Sequence, residues 1–304
     1  MQTILGAGGA VGNALAKELK NYTDKIRLVA RNPKKVNNDD ELIAANLLDK
    51  KAVNEAVKGS EIVYLTAGLK YSSKIWERDW PVIMQNVLDA CLVNHAKLVF
   101  FDNVYMYAPE AVKHMTEDST IAPATRKGKV RAEIANMLFE EIKNKQLTAM
   151  IARSADFYGK DASAGILNIS VIDNYKKNKK AFWQSDADKI HSSTYIPDAV
   201  KAVALLGNTP DAYNQVWHLP TSHERWTGKE FIQNIAEQMN VKPRYYILSK
   251  FMITLLGIFS TTIGELTEMQ YQNDQDYFFD SSKFEKKFQL KPTSYKEGIK
   301  ESIR

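Results

Sequence analysis

Along the first half of the chain, short apolar runs alternate with stretches in which apolar positions recur every three or four residues. Thr3-Ile4-Leu5 is a short apolar run ending at a glycine cluster, and from Val11 the positions Val11, Leu15 and Leu19 form one stripe of a helix. Residues 26–29 make a β-branched run, 46–48 close a weaker one, and 61–65 (EIVYL) give a clear one. Trp80, Ile83, Met84, Val87, Leu88 and Cys91 mark a helix with a wide buried face. Residues 97–101 (KLVFF) read as a strand covered on both faces. A helix over about 127–145 follows, with Val130, Ile134, Met137, Leu138 and Ile142 on one stripe, and 147–152 (LTAMIA) closes the series. Strands alternating with helices of ten or more residues imply parallel strands joined by crossovers. The pattern predicts an α/β fold, a doubly wound parallel (Rossmann) sheet over residues 1–154.

Beyond about residue 155 the pattern becomes irregular. A short strand at 216–219 mixes with helices at 198–206 and 227–239, and an aromatic-rich C-terminal segment follows. Residues 155–304 are expected to form a smaller mixed α/β substrate lobe, separate from the first unit or interleaved with it. It would lie over the carboxyl edge of the sheet, where open α/β sheets bind ligands. The stretch 251–264 (FMITLLGIFSTTIG) falls short of the ~20 apolar residues needed to span a bilayer. It is expected to be a buried helix rather than one lying on a membrane surface.

Composition changes this picture little. With 304 residues, 44% hydrophobic and 25% charged, the chain has an ordinary globular make-up, which excludes wholesale disorder. The net charge of +5 is spread along the chain and no basic stripe carries interleaved aromatics, so no nucleic-acid partner is expected. The single cysteine, Cys91, excludes a disulfide within the chain, and the five histidines lack ligand spacing, so no metal is expected. The N-terminus has no basic region followed by an apolar core, unlike a signal peptide; with no membrane span either, the simplest location is the cytoplasm.

The strongest chemical signal is Gly6-Ala7-Gly8-Gly9-Ala10-Val11-Gly12, placed directly after the first strand and opening the first helix. One glycine permits the tight turn, another lets backbone approach a pyrophosphate, and a third lets helix pack close to strand. The helix N-terminus then offers free N–H groups and a partial positive charge to phosphates. Gly6, Gly8, Gly9, Ala10, Val11 and Gly12 are therefore cofactor-binding candidates, and Ala67 and Gly68, just past the 61–65 run, are counted with them. At the end of the second strand, where sites preferring NAD carry an acid, the chain has Ala30-Arg31-Asn32-Pro33. A guanidinium suits a 2′-phosphate, so NADP is favoured, with NAD the alternative. Arg31 as a solvated loop charge remains the competing view.

The glycine spacing and the strands after it resemble the extended short-chain dehydrogenase/reductase family, which includes NAD-dependent epimerases and dehydratases of sugar nucleotides. The resemblance covers nearly the whole chain. Asn86-Val87-Leu88-Asp89-Ala90-Cys91 is similar to the family's central interface helix with its buried Asn, which implies a homodimer through the 80–91 helix. Phe100–Ala108 sits where the family has a Ser-rich strand end and Val-Tyr-Gly. Arg153-Ser154-Ala155-Asp156-Phe157-Tyr158-Gly159 resembles the Arg…Tyr-Gly entering the substrate lobe, and Thr194–Val200 resembles the Tyr-Val-x-Asp-Val segment.

The departures bear on the chemistry. The family's catalytic pair is a Tyr four residues before a Lys; here Lys129 holds the Lys position and Thr125 the Tyr position, while the helper Ser or Thr aligns with Asn103. This is the pattern of the atypical subgroups. An aliphatic hydroxyl is far less acidic than a phenol, whose pKa is ~10, so Thr125 does not inherit proton transfer. Asn103 can donate from its amide, and Lys129 can hold the nicotinamide ribose. Substitutes for the missing phenol are Tyr105 or Tyr107, Asp102 as a carboxylate base, and Tyr158 or His191 from the second lobe; each equally fits a packing or turn role. Lys129, Asn103 and Tyr105 are the catalytic candidates. Two functions fit: an NAD(P)-dependent oxidoreductase or epimerase-like enzyme acting on a small carbonyl or hydroxyl compound or a nucleotide sugar, and a catalytically degenerate NADP-binding sensor.

Overall fold

The strand that precedes the glycine cluster, β1 (Gln2–Leu5), is buried along its whole length. It pairs in parallel with β2 (Ile26–Ala30) on one side and β4 (Ile62–Leu65) on the other. β3 (Glu41–Ala44) lies outside β2; β5 (Lys97–Asp102), β6 (Ala149–Arg153) and β10 (Val216–His218) continue beyond β4. All seven strands are parallel, in the order β3-β2-β1-β4-β5-β6-β10, so the doubly wound sheet expected from the sequence is present. The structure, a computed structural model, describes every residue except Lys145, and the side chains of all the others except Ile258, Phe259, Thr261 and Thr262.

Helices cover both faces of the sheet. α2 (Lys50–Val57), α3 (Ser73–Val93) and α4 (Arg126–Lys143) bury Val53, Trp80, Met84, Val87, Ile134 and Leu138 against one face. The α3 stripe read from the sequence is thus used inside the chain, leaving Val82, Gln85 and Val93 outward, while buried Asn86 donates to the Leu47 carbonyl at 2.9 Å. On the other face α1 (Ala10–Glu18) packs beside α6 (Ile196–Gly207), with Leu15, Leu19, Val203 and Leu206 in one core. Between α6 and β10 the chain therefore returns to the sheet after leaving it.

Two sequence expectations need correction. Residues 46–48 are a turn, and the strand lies earlier, where Glu41 pairs with Arg27. Asn46 Oδ1 accepts from Leu48 N, and Asp49 caps α2 through Lys51 N and Ala52 N; these side-chain bonds draw the backbone out of the ladder. The second concerns 251–264, which forms two helices, α8 (Lys250–Phe259) and α9 (Thr261–Thr267). Gly257 and Gly264 bring them into close contact, since a Cβ on Gly257 would lie 2.9 Å from Gly264 Cα. Ile253 is buried, but Phe251 is 75% exposed and Met252, Leu255 and Leu256 also face outward. No helix among the described residues is long and apolar enough to cross a membrane.

The rest of the second half adds two small parallel pairs. β7 (Asp156–Tyr158) pairs with β9 (Ser193–Tyr195), and β8 (Ala181–Gln184) with β11 (Tyr245–Leu248). The short α5 (Asp173–Lys176) precedes β8. α7 (Gly228–Gln238) begins with a capping box between Thr227 and Glu230, and packs with α11 (Tyr295–Ile303) around Trp183, Phe231 and Tyr295. α10 (Ser282–Phe288) sets Phe284 edge-on against Trp217 of β10.

Candidate functional site

The turn from β1 into α1 is built by glycine. Gly6 and Ala7 both donate their N–H to the Val29 carbonyl of β2, at 2.9 and 3.1 Å, so the loop folds over the sheet edge. Gly6 has φ +97°, and a Cβ there would overlap the Ala67 backbone beyond β4. At Gly12 a Cβ would meet the Gly6 carbonyl at 3.1 Å and Thr66 Oγ1 at 3.3 Å, so this glycine lets α1 settle onto the strands. Gly8 and Gly9 are different, because open space lies beyond both.

The N-cap of α1 is Gly9, which has no side chain to accept from the first turn, and that turn carries no acid. The N–H groups of Ala10, Val11 and Gly12 find no partner among the described residues, and Asn13 reaches only back to Gly8 N, at 3.1 Å. A helix start of this kind offers donors and a positive partial charge to an anion. Arg31, one residue past β2, is exposed and forms no hydrogen bond or ion pair among the described residues. Ala67, half-buried, lies beside Gly6, and Gly68 after it is exposed. A cleft of about 760 Å³ borders Gly8, Gly9 and Asn13 on the side of α6, with Lys17, Lys35 and Lys201 and also Glu18 and Asp161 on its walls.

Farther along the carboxyl edge, the loops after β4, β5 and β6 converge. Asn103 Oδ1 accepts from Tyr105 N at 3.1 Å, bending the chain so that the Tyr105 ring stacks on Trp76 of α3, 6.1 Å between centroids. Tyr71 and Tyr105 lie together, and Tyr271 and Tyr277 approach from the C-terminal segment toward the carboxylate of Asp156. Burial first, and then the Asp156 charge among the neighbouring groups, raises the phenol pKa of Tyr105 above its ordinary value, and burial raises Tyr71 likewise. These phenols hold their protons at neutral pH and act as hydrogen-bond donors. Asp156 also meets His191, its Oδ2 2.9 Å from Nε2. The sequence reading named His191 but passed over Asp156; its signal was a carboxylate inside the Arg153…Gly159 segment, directly past a strand end.

At the start of α4, Thr125 is the N-cap, its Oγ1 accepting from Gly128 N at 3.0 Å. Gly128 is needed because a Cβ there would strike the Tyr105 carbonyl. Lys129 lies on the exposed side of the helix with Glu133 and Asn136 and has no partner among the described residues. Its neighbour Lys127, absent from the sequence reading, is fully buried: Nζ bonds Glu268 at 2.7 Å and Ser73 Oγ at 3.1 Å, and pairs with Glu265. Lys127 thereby ties α9 to the first turns of α3 and α4.

Asp102, weighed as a base, is instead locked beneath the site. Its Oδ1 accepts from Arg131 and its Oδ2 lies 3.3 Å from Arg153 Nε, all three side chains buried. Arg153 then donates to Tyr107 at 2.9 Å, and Tyr107 lies 2.7 Å from His218 Nε2. The Asp280 carbonyl can only accept, so His218 Nδ1 carries the proton toward it and Nε2 accepts from Tyr107. Burial lowers the His218 pKa to about 3. The folded protein therefore keeps this ring neutral while the unfolded chain protonates it below its ordinary value of 6.5, so stability falls as pH drops from there toward 3. Between pH 7 and 5 the wild type should lose about 2 kcal/mol more than His218→Gln. Urea midpoints at the two pH values measure this, and equal losses in both proteins contradict it.

A family model described as NAD dependent epimerase/dehydratase family matches residues 3–218. No curated protein matches the chain by sequence. Among solved structures, UDP-glucose 4-epimerase of Thermus thermophilus, in complex with NAD, superposes with a TM-score of 0.79 at 16% identity, over 100% of this chain and 98% of that one. UDP-glucuronic acid 4-epimerase of Bacillus cereus, also with NAD, gives 0.80 at 16%, over 100% and 97%. The dTDP-glucose 4,6-dehydratase of Streptomyces venezuelae, with NAD and TYD bound, gives 0.81 at 12%, over 100% and 96%. At these identities the likeness is one of fold.

Proposed function

Because the chain belongs to the NAD dependent epimerase/dehydratase family, we propose that it holds a nicotinamide dinucleotide along the carboxyl edge of its sheet and interconverts a hydroxyl and a carbonyl on a nucleotide sugar or a smaller compound. The observation that carries this reading is the uncapped start of α1, whose free amides face the open space beyond Gly8 and Gly9. That cradle fits a pyrophosphate, and the fit of neighbouring proteins solved with NAD supports it. When bound, the nicotinamide would supply two-electron oxidation or reduction. Lys129 has a free ammonium for a ribose hydroxyl, Asn103 an amide to donate, and Tyr105 a phenol that donates rather than accepts a proton. Isothermal titration with NAD+, NADH, NADP+ and NADPH tests the reading; no heat with any of them overturns it.

Arg31 further favours the phosphorylated dinucleotide. A charge-assisted bond to a phosphate contributes about 1.5–3 kcal/mol. Arg31→Ala should therefore weaken NADPH binding roughly 10- to 100-fold and leave NADH nearly unchanged. A variant that weakens both equally, or neither, would show that Arg31 does not discriminate. A second reading, a dinucleotide-binding protein without turnover, is favoured by Thr125, whose hydroxyl is occupied in capping α4. It is distinguished by tight dinucleotide binding with no change in the nicotinamide absorbance band when UDP-sugars and small aldehydes or ketones are added.

A further inference from the structure

The loss of a phenol at position 125 does not leave the crevice without a proton carrier. Resting on the dinucleotide reading above, we propose that Asp156, backed by His191, is the acid–base group of the site.

The pair has one sealed end and one open end. His191 is 3% exposed; its ring stacks on Tyr277 at 4.5 Å and 12° and meets Trp183 edge-on, while its backbone N–H donates to the Trp226 carbonyl at 3.0 Å. The imidazole is thus fixed with Nε2 toward Asp156 Oδ2. The Asp156 side chain is 29% exposed, so the carboxylate presents itself to solvent while its partner is shut in.

Position supports the same role. Asp156 opens β7 three residues past the end of β6, and its charge acts on the phenols of Tyr71 and Tyr105 in the loops beyond β4 and β5. β4, β5 and β6 are successive neighbours of β1, so with strands ~4.8 Å apart the carboxylate stands about 10–15 Å along the edge from the glycine loop. The phosphate cradle and the proton carrier thus occupy opposite ends of one crevice.

In oxidation, the substrate O–H bond breaks and its proton passes to the free oxygen of the Asp156 carboxylate, while Oδ2 keeps the hydrogen bond that His191 Nε2 donates. The C–O bond becomes C=O, and the two electrons of the carbinol C–H go to the oxidised nicotinamide dinucleotide as co-reactant. Reduction returns the proton from Asp156 to the carbonyl oxygen. The Asp156 charge acts on the phenols of Tyr71, Tyr105, Tyr271 and Tyr277, and Arg131 and Glu268 are the other charged groups that act on those phenols.

The test needs no substrate. The full-length protein, labelled with 15N-histidine, is observed by NMR at one fixed pH in the presence of saturating NADP+ and, separately, NADPH. The oxidised ring carries one extra positive charge, so the His191 ring 15N resonances should differ between the two complexes. Asp156→Asn should reduce that difference while leaving the dinucleotide dissociation constants within about twofold. Identical His191 resonances in the two bound states of the wild type, or a difference that Asp156→Asn leaves unchanged, overturn the proposal and leave the dinucleotide reading standing. Failure of both dinucleotides to bind overturns that reading instead.

Discussion

Asp102→Asn is expected to destabilise the protein by about 3–5 kcal/mol, because it removes the carboxylate that bridges two buried guanidinium groups. Arg131 bonds Oδ1 and Arg153 approaches Oδ2, and the side chains of both arginines and of the aspartate are almost wholly out of water. Arg131 also lies over the rings of Trp80 and Phe100, at 4.7 and 5.0 Å, so it cannot swing to solvent without opening the core between α3, α4 and β5. An asparagine retains one acceptor but no charge, and one Arg153 nitrogen is already without a partner. Urea denaturation at neutral pH measures the loss. Adding Arg131→Met to Asp102→Asn should recover part of it, since an apolar chain of similar volume removes one of the stranded charges. A loss below 1 kcal/mol in the single variant would mean that water or another group already neutralises these arginines.

This network also shows where the sequence was readable. The parallel sheet could be read because β1, β2, β4, β5 and β6 are short apolar runs separated by helical stripes, and that pattern depends only on which faces are covered. The glycine loop was legible for a related reason: Gly12 is demanded by backbone contacts inside its own loop and Gly6 by the adjoining backbone at Ala67, just past β4. The family resemblance drawn from that loop and the Arg153–Gly159 segment holds, since the family model spans 3–218.

What escaped the sequence depends on partners far away along the chain. Asp102 read as a buried carboxylate base or a turn cap, whereas Arg131 and Arg153 enclose it. Lys127 drew no reading of its own, yet two glutamates of the second half meet it, 138 and 141 positions on. The α8 stretch was apolar enough to read as core, but burial is decided by what packs against a helix. Only Ile253 among its described apolar side chains found full cover. Asp156 acquires meaning only through His191, Tyr71 and Tyr105, which come from three other segments.

The other large effect concerns binding, and there stability and affinity should move in opposite directions. Gly9→Asp places a carboxylate at the N-cap of α1, in a position with extended backbone (φ −82°, ψ 166°) and no atom within 4 Å of the new Cβ. Aspartate is among the preferred N-caps, so the free helix start gains an acceptor and the fold is stabilised by a few tenths of a kcal/mol. The same carboxylate takes amides that the pyrophosphate would use and sets a negative charge about 4 Å from the phosphates. At an effective dielectric of ~20, that repulsion is about 4 kcal/mol, or a factor approaching 10³ in affinity. Thermal denaturation should therefore show an unchanged or slightly raised midpoint, while calorimetry shows dinucleotide binding weakened at least 100-fold. Binding that survives this variant unchanged would place the anion somewhere other than the start of α1, with the lysine-walled cleft beside α6 the next place to look.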